Sequence, residues 1–355
     1  MKITIDKSVL ENMLLHLQPF LEKKDTSQIT SHILLISDGK ILSAKATDYE
    51  IGLTLQTHAY TAIESGSVTA NGKKLLDIIR ILKDEEIDLE LIKDNLHIRQ
   101  KRSNFKLPTY KSNEFPPFPS IEEKPNIAID SQILIESLKK ITPATDTNNP
   151  KFELNGALID IKMNQINFVS TDTRRLALVR IENQNEYELS IIVPKKAIIE
   201  IQKLFATSIE IYYDNTHLVI KSENSLFFTK LINGKFPDYN RIIPKEASKS
   251  ITLNKASFIN SIKQITTISN DIKLTFEKNS ILFESLSDDN IEAKTTLEIE
   301  NGFDTPFLLA INSRYILDFL GQINTNDFIL EANESNQPFV LKSENFKTIV
   351  MPIVI

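Results

Sequence analysis

The sequence predicts an α+β fold in which one module is repeated along the chain, and two observations support this. A strand pattern followed by a helix pattern occupies residues 1–17, and it recurs at 126–141 and 250–265. A polar residue precedes each of these helices, at Asp6, Asp130 and Asn254, so the spacing is 124 residues both times. An interval this regular predicts three similar domains, and we expect them at 1–122, 123–246 and 247–355.

The first strand and helix define the pattern. Residues 1–6 alternate apolar and polar side chains, and the apolar residues from Val9 to Leu17 then follow helical spacing. Asp6, Asp130 and Asn254 each stand where a side-chain oxygen can accept a hydrogen bond from the first free N–H groups of a helix. We therefore expect all three to be helix N-caps.

Each interval also holds a second strand and helix, which begin near residues 67, 190 and 307. Three strand patterns at 33–36, 41–45 and 51–56 recur at 157–161, 166–170 and 176–181. Lys-Ser-Glu-Asn at 221–224 returns at 342–345, and Phe-Pro at 115–116 returns at 236–237, each 121 residues later. We expect a β-α-β-β-β module used six times, two per domain, with six helices.

Composition limits the classes of protein that fit. The 355 residues are 41% hydrophobic and 25% charged, as in ordinary globular proteins. The absence of cysteine excludes disulfides and thiolate metal sites. No apolar run approaches the roughly 18 residues that span a bilayer, and the first residues do not resemble a secretory signal. We expect a cytoplasmic protein that does not enter a membrane.

The charge is unevenly distributed. The formal net charge is −6, which taken alone argues against nucleic acid as a partner. The six predicted helices, with their flanking residues, nevertheless carry +9 in total, so the rest of the chain carries −15. Lysine is common on any solvated helix face, but a bias shared across the helices points to an anionic partner.

Signals for catalysis are weak. The five histidines are dispersed, and residues 66–73 resemble a phosphate-binding loop only in part, because five residues separate the glycines and Lys74 replaces the Ser or Thr. The acidic cluster at 84–86 falls in a predicted turn, where solvation explains it better than acid–base chemistry. We expect no catalytic residues, no metal and no cofactor.

Three segments resemble the signatures of one family, the bacterial DNA polymerase III β subunits or sliding clamps. They are GKFPDYNRIIP at 234–244, VMPIVI at 350–355 and STDTRRLA at 170–177. The resemblance covers the whole chain. It implies three clamp domains in a head-to-tail homodimeric ring, with helices lining the inside and sheets outside. Such a ring encircles double-stranded DNA without sequence preference, and binds the clamp loader and replicative and repair polymerases through short peptide motifs.

The resemblance also implies three sets of site residues. Basic residues on the six helices or next to them would face DNA: Lys24, Lys73, Lys74, Arg80, Lys139, Lys140, Lys195, Lys196, Lys203, Lys255, Lys263 and Arg314. A partner-peptide pocket between the second and third domains would comprise Thr171, Thr173, Arg174, Leu176, Pro237, Arg241, Ile242, Asn312, Tyr315, Ile349, Met351, Pro352, Ile353, Val354 and Ile355. The dimer interface would join Phe105 and Leu107 to the region of Ile268.

Each set has a plain structural alternative. The basic residues also fit a solvated surface. Ile349 and residues 353–355 also fit a C-terminal strand packed in the core, and Phe105 and Leu107 also fit the core of the first domain. The sequence departs from the family pattern at Thr173, Arg174 and Val354, where glycine, histidine and a basic residue are common. A monomeric scaffold and a hydrolase or nuclease with an unrecognised site are the competing functions.

Overall fold

The structure is a computed structural model that describes residues 1–25, 27–205, 208–286, 291–300, 303 and 305–355. Its described part contains six α-helices: α1 (Lys7–Leu17), α2 (Gly72–Ile81), α3 (Ser131–Ile141), α4 (Lys195–Leu204), α5 (Lys255–Ile265) and α6 (Ser313–Leu320). The strands are β1 (Lys2–Asp6), β2 (His32–Ser37), β3 (Leu42–Thr47), β4 (Ile51–Thr57), β5 (Thr61–Glu64), β6 (Gly66–Asn71), β7 (Glu86–Ile92), β8 (Asn95–Gln100), β9 (Ser103–Pro108), β10 (Gly156–Lys162), β11 (Gln165–Thr171), β12 (Arg175–Glu182), β13 (Leu189–Pro194), β14 (Glu210–Tyr213), β15 (His217–Lys221), β16 (Ser225–Lys230), β17 (Lys249–Asn254), β18 (Asp271–Glu277), β19 (Ser280–Ser285), β20 (Lys294–Glu298), β21 (Phe307–Asn312), β22 (Asp327–Ala332), β23 (Phe339–Ser343) and β24 (Phe346–Val350). No helix in the described residues is both long and apolar enough to cross a membrane.

Five of the six modules follow the predicted order of one strand, one helix and three strands, and the third module departs from it. Residues 126–130 form a single bridge, between Asn126 and Tyr212, rather than a strand. Pro125 just before it has no N–H group, and the N–H of Ile129 bonds to the carbonyl of Ile127, which turns the chain out of an extended path. The short strand β5 was not predicted.

Two of the three predicted N-caps are confirmed. Asp130 Oδ1 accepts hydrogen bonds from the N–H groups of Gln132 (2.9 Å) and Ile133 (3.0 Å), and Asn254 Oδ1 accepts one from Ser257 (3.1 Å). The prediction for Asp6 was wrong, because its side chain makes no capping bond. Instead the backbone N–H of Lys7 is satisfied by the carbonyl of Glu85 (3.2 Å).

One turn shows the repeat at the level of single hydrogen bonds. The Thr47 hydroxyl donates to the carbonyl of Ile51 (2.8 Å), and the Thr171 hydroxyl donates to that of Arg175 (2.7 Å). The third residue of each turn has a left-handed backbone, with φ 73° at Tyr49 and 74° at Thr173. The same turn therefore joins the second and third strands after the helix in the first and third modules.

The chain divides into two compact units. One unit comprises Met1–Ile133 and Ile199–Leu231, and the other comprises Leu134–Ile198 and Ile232–Ile355. The first unit contains sheets of order β5-β1-β7-β8-β9 and β14-β15-β16-β4-β3-β2-β6. The second contains sheets of order β13-β10-β11-β12-β24-β23-β22-β17 and β20-β19-β18-β21.

A simple rule generates these sheets. The first strand of a module pairs with a strand of the other module in the same domain. In this way β1 pairs with β7, β6 with β2, and β17 with β22. The last strands join different domains, as β4 does with β16 and β12 with β24. The last strands of the two remaining modules, β9 and β20, end their sheets without a further partner strand among the described residues.

Candidate peptide and nucleic-acid surfaces

The predicted peptide pocket has a buried floor. Leu176 on β12 lies directly opposite Ile349 on β24, and the two are only 2% and 1% exposed. Phe346 stacks on Phe319 of α6 at 5.0 Å. Alternate residues of a strand point to opposite faces, so Ile349 lies on the face away from this helix.

A loop covers this helix-free face. Phe236 and Tyr239, in the signature at 234–244, pack in one apolar cluster with Leu176 and Ile349, and Ile243 packs against it. Pro237 is half-buried, whereas Arg241 and Ile242 are exposed. The loop therefore brings these three predicted residues to the surface beside the floor.

The C-terminal residues complete the surface. The N–H of Met351 donates to the carbonyl of Arg174 (2.8 Å), and the N–H of Ile353 donates to that of Ala310 (2.7 Å). Pro352 and Ile353 are half-buried, but Met351, Val354 and Ile355 are 40%, 79% and 67% exposed. A soluble protein rarely leaves neighbouring large apolar side chains open without a partner for them.

The remaining predicted pocket residues serve local structure. Thr171 is buried in its turn, and Arg174 and Thr173 are exposed. Asn312 caps α6 by accepting a hydrogen bond from Arg314 N–H at 3.2 Å. Burial raises the pKa of the half-buried Tyr315.

Arg175 was missed by the sequence analysis, although it lies between two predicted pocket residues. Its guanidinium, only 7% exposed, binds Asp172 (3.0 Å) and Asp318 of α6 (2.7 Å), donates to the Pro143 carbonyl, and lies 4.5 Å above the Tyr315 ring. It thus fixes the turn, the helix and the aromatic ring of the predicted pocket. A buried arginine is rare without carboxylate partners, but their positions are not visible in the sequence.

The twelve basic candidates fall into two groups. The exposed ones are Lys24, Lys73, Lys74, Arg80, Lys139, Lys196, Lys203, Lys263 and Arg314. Lys195 and Lys255 are half-buried at the start of their helices, and their ammonium groups donate to the carbonyls of Thr145 and of Ile323 (2.7 Å). Lys140 is also half-buried, and it donates to Asn345 at 3.4 Å. Burial lowers the pKa of Lys195. These three lysines are therefore less available to an anionic partner than the exposed ones.

Three of the exposed candidates share one cavity in the first compact unit. Lys73, Arg80 and Lys203 line a cavity of about 700 Å³, together with Lys23. Glu22, Asp77 and Glu200 line it as well, and Glu200 pairs with Lys203 at 2.9 Å. The cations there are partly balanced within the protein.

The predicted interface residues differ in exposure. β9 lies at the edge of its sheet among the described strands, and Phe105 on it is half-buried. Leu107 is 7% exposed, which favours the alternative that it belongs to the core of its own domain. Ile268 is 40% exposed, just after α5.

No group of three or more metal-ligating His, Cys, Asp or Glu side chains occurs in the part of the chain that the structure describes.

Family models of the DNA polymerase III beta subunit match the chain almost throughout. The N-terminal domain model matches residues 1–119, the central domain model 128–238, and the C-terminal domain model 240–354.

Individual relatives agree with this. A beta sliding clamp of Helicobacter pylori is 41% identical over an alignment that covers 100% of both chains. A crystal structure of a Helicobacter pylori beta clamp bound to a DNA ligase peptide superposes with a TM-score of 0.94 at 42% identity, again over 100% of both chains. The DNA polymerase III subunit beta of Pseudomonas aeruginosa gives a TM-score of 0.93 at 25% identity, with 100% of each chain covered. The chain therefore belongs to the DNA polymerase III beta subunit family, the bacterial sliding clamps, which are non-catalytic processivity factors of DNA replication.

Proposed function

We propose that two copies of this chain close head to tail through β9 of one copy and β20 of the other, and that the ring encircles duplex DNA. The rule of sheet assembly carries this proposal. The eight-stranded sheet and the seven-stranded sheet each join two domains through their last strands, and among the described strands β9 and β20 are the last strands without such a partner. Pairing β9 with β20 gives hydrogen-bond partners to the exposed backbone groups of both edge strands at once.

The basic helices supply the DNA-facing surface in this proposal. The six helices as bounded in the structure carry a formal charge of +7, although the chain as a whole carries −6. Contacts with phosphates carry no sequence information, so they permit sliding. Enclosure rather than affinity retains the ring, and an overall negative charge is then no obstacle.

The surface floored by Leu176 and Ile349 binds short peptides of the clamp loader and of replicative and repair polymerases. The exposed side chains of Ile242, Met351, Val354 and Ile355 support this, because an apolar groove buries peptide anchors while polar groups fix their direction. The related Helicobacter pylori clamp has been crystallised with a DNA ligase peptide. We retain the domain boundaries 1–122, 123–246 and 247–355, and a cytoplasmic location.

Mass in solution and retention on DNA test the ring. A species of two chains should stay on circular duplex DNA and leave the same DNA once it is linearised. Phe105→Ala should weaken the dimer, whereas Asn104→Ala, on the other face of the same strand, is the matched control. A chain-sized mass with equal retention on circles and linear DNA contradicts the proposal.

Deletion of residues 351–355 tests the pocket. We expect the shortened protein to remain a dimer and to lose binding of the DNA ligase peptide. Unchanged peptide affinity in that dimer excludes the pocket.

A further inference from the structure

We propose that Asp160, which lies outside the predicted pocket, positions the loop that forms one wall of it through a hydrogen bond with Tyr239. This inference rests on the peptide pocket proposed above. The Tyr239 hydroxyl donates to Asp160 Oδ2 at 2.7 Å, across 79 residues of sequence. The two residues are 5% and 6% exposed, so water does not compete for this bond.

The loop has few other polar ties. Residues 233–245, all of which the structure describes, include the predicted pocket residues Pro237, Arg241 and Ile242. Their other hydrogen bonds stay inside the segment, such as those from Arg241 N–H to Asp238 (3.3 Å) and from Ile242 N–H to Tyr239 (3.2 Å). The bond from Tyr239 to Asp160 is the one hydrogen bond between this stretch and the rest of the described chain.

The anchor itself is rigid. Asp160 lies on β10, which pairs with β11 on one side and β13 on the other. The Ser190 hydroxyl donates to its Oδ1, and the Lys162 ammonium lies 3.3 Å from the same oxygen. Three donors offset the cost of burying a carboxylate. Burial and the bond to Asp160 raise the pKa of Tyr239, so the phenol remains a donor.

Apolar packing alone does not fix the loop. Phe236, Tyr239 and Ile243 pack on the floor cluster, but apolar burial is not directional. The hydrogen bond adds a direction and a single depth for the tyrosine ring. Without it, the loop spends less time in the conformation that receives a peptide, and the apparent affinity falls by that fraction.

The test uses the full-length protein and a synthetic peptide with the DNA ligase sequence. Tyr239→Phe keeps the ring and removes the donor, and we expect it to slow peptide association about tenfold while dissociation stays near that of the unaltered protein. Asp160→Ala should give the same loss. Asp160→Asn should restore most of the rate, because the amide oxygen can still accept from Tyr239.

Ser190→Ala is the matched control, since it removes a bond to the same carboxylate but does not reach the loop. We expect unchanged association for this variant. Normal association in Tyr239→Phe, or an equal loss in Ser190→Ala, overturns the positioning role, and Asp160→Ala decides if Tyr239→Phe fails to fold. Failure of the pocket itself is separate, because the 351–355 deletion would then bind the peptide as the unaltered protein does.

Discussion

Gly52 and Phe228 lie directly opposite each other in the β4·β16 ladder, at the positions that Leu176 and Ile349 hold in the β12·β24 ladder. The first pair combines the smallest side chain with a large one. A Cβ on Gly52 would lie 2.2 Å from the Phe228 ring and 3.0 Å from that of Phe118. Phe118, in the segment between β9 and α3, packs edge-on against Phe228 at 4.8 Å. At the β4·β16 ladder, aromatic residues of this chain therefore fill the place that corresponds to the Leu176 and Ile349 floor of the β12·β24 ladder.

We expect Gly52→Ala to lower the free energy of unfolding by about 1–3 kcal/mol, because an added methyl in a packed site forces rings and backbone to shift. Urea denaturation measures this. Gly234→Ala is the control, since its nearest heavy atom would be 3.6 Å away. Equal stability of the two variants would show that Phe228 yields without cost.

Thr173 holds a β-branched side chain at a left-handed φ of 74°. This left-handed backbone costs an L-residue about 1–2 kcal/mol compared with glycine. A glycine variant recovers only part of that free energy, because glycine also has more conformational freedom in the unfolded chain. We expect Thr173→Gly to raise the free energy of unfolding by about 0.5–1 kcal/mol, and Thr173→Ala to gain less. Thermal denaturation compares them, and a destabilised glycine variant contradicts this view of the turn.

His32 on β2 makes stability depend on pH. It is 5% exposed, its Nδ1 has no hydrogen-bond partner among the described residues, and its ring lies 4.6 Å from that of Tyr110. Burial and then the nearby Lys74 lower the pKa of His32 to about 4, from 6.5. The unfolded chain therefore takes up a proton first as the pH falls.

Because of this residue, the free energy of unfolding should fall by about 3 kcal/mol as the pH is lowered from 6.5 to 4. Above pH 6.5 the residue should have no effect on it. Urea denaturation across this range should show the slope, and His32→Phe, which keeps an aromatic ring against Tyr110, should remove that part of it. Parallel curves for both proteins would exclude His32 as the cause.

Lys73 and Lys195 should respond differently when their charge is removed. Lys73 is exposed on α2, whereas the Lys195 ammonium donates to the Thr145 carbonyl and to the Thr147 hydroxyl (3.2 Å). Log affinity for duplex DNA falls as log salt concentration rises, and we expect Lys73→Met to make this slope less steep by up to about 0.9, the value for one phosphate contact. The free energy of unfolding should stay unchanged. Lys195→Met should instead lower the melting temperature. If Lys195→Met changes the salt dependence and Lys73→Met changes the melting temperature, Lys195 contacts DNA and Lys73 supports the fold.

Periodicity predicted most of the fold because the modules repeat their apolar spacing. The prediction was wrong at Asp6 and at 126–130. The Glu85 carbonyl satisfies the helix start at Lys7, and Pro125 with the turn at Ile129 prevents a strand. The Glu85 carbonyl is 78 residues from Lys7 and leaves no local signal, whereas Pro125 lies directly before residues 126–130, where the apolar and polar alternation alone favoured a strand.

The candidate site was predicted only in part for the same reason. The family resemblance predicts Leu176, Tyr315 and Met351 as pocket residues, because it is carried over residue by residue. Asp160 and Arg175 have roles that depend on partners 79 and 143 residues away. A single sequence does not reveal contacts at such separations.

Arg175 is the residue on which the turn at 171–175 and α6 both depend. Its planar guanidinium meets Asp172, Asp318 and the Pro143 carbonyl together, which the single ammonium of lysine does not reproduce. We expect Arg175→Lys to lower the free energy of unfolding by about 2 kcal/mol, since one ammonium group cannot replace every hydrogen bond of the guanidinium and a half-buried carboxylate loses its partner. Peptide affinity should fall as well, because Arg174 next to it holds Met351 by a backbone hydrogen bond. Arg174→Lys, at an exposed position, should keep normal stability in the same urea denaturation. If the two lysine variants unfold at the same urea concentration, Arg175 does not stabilise this junction.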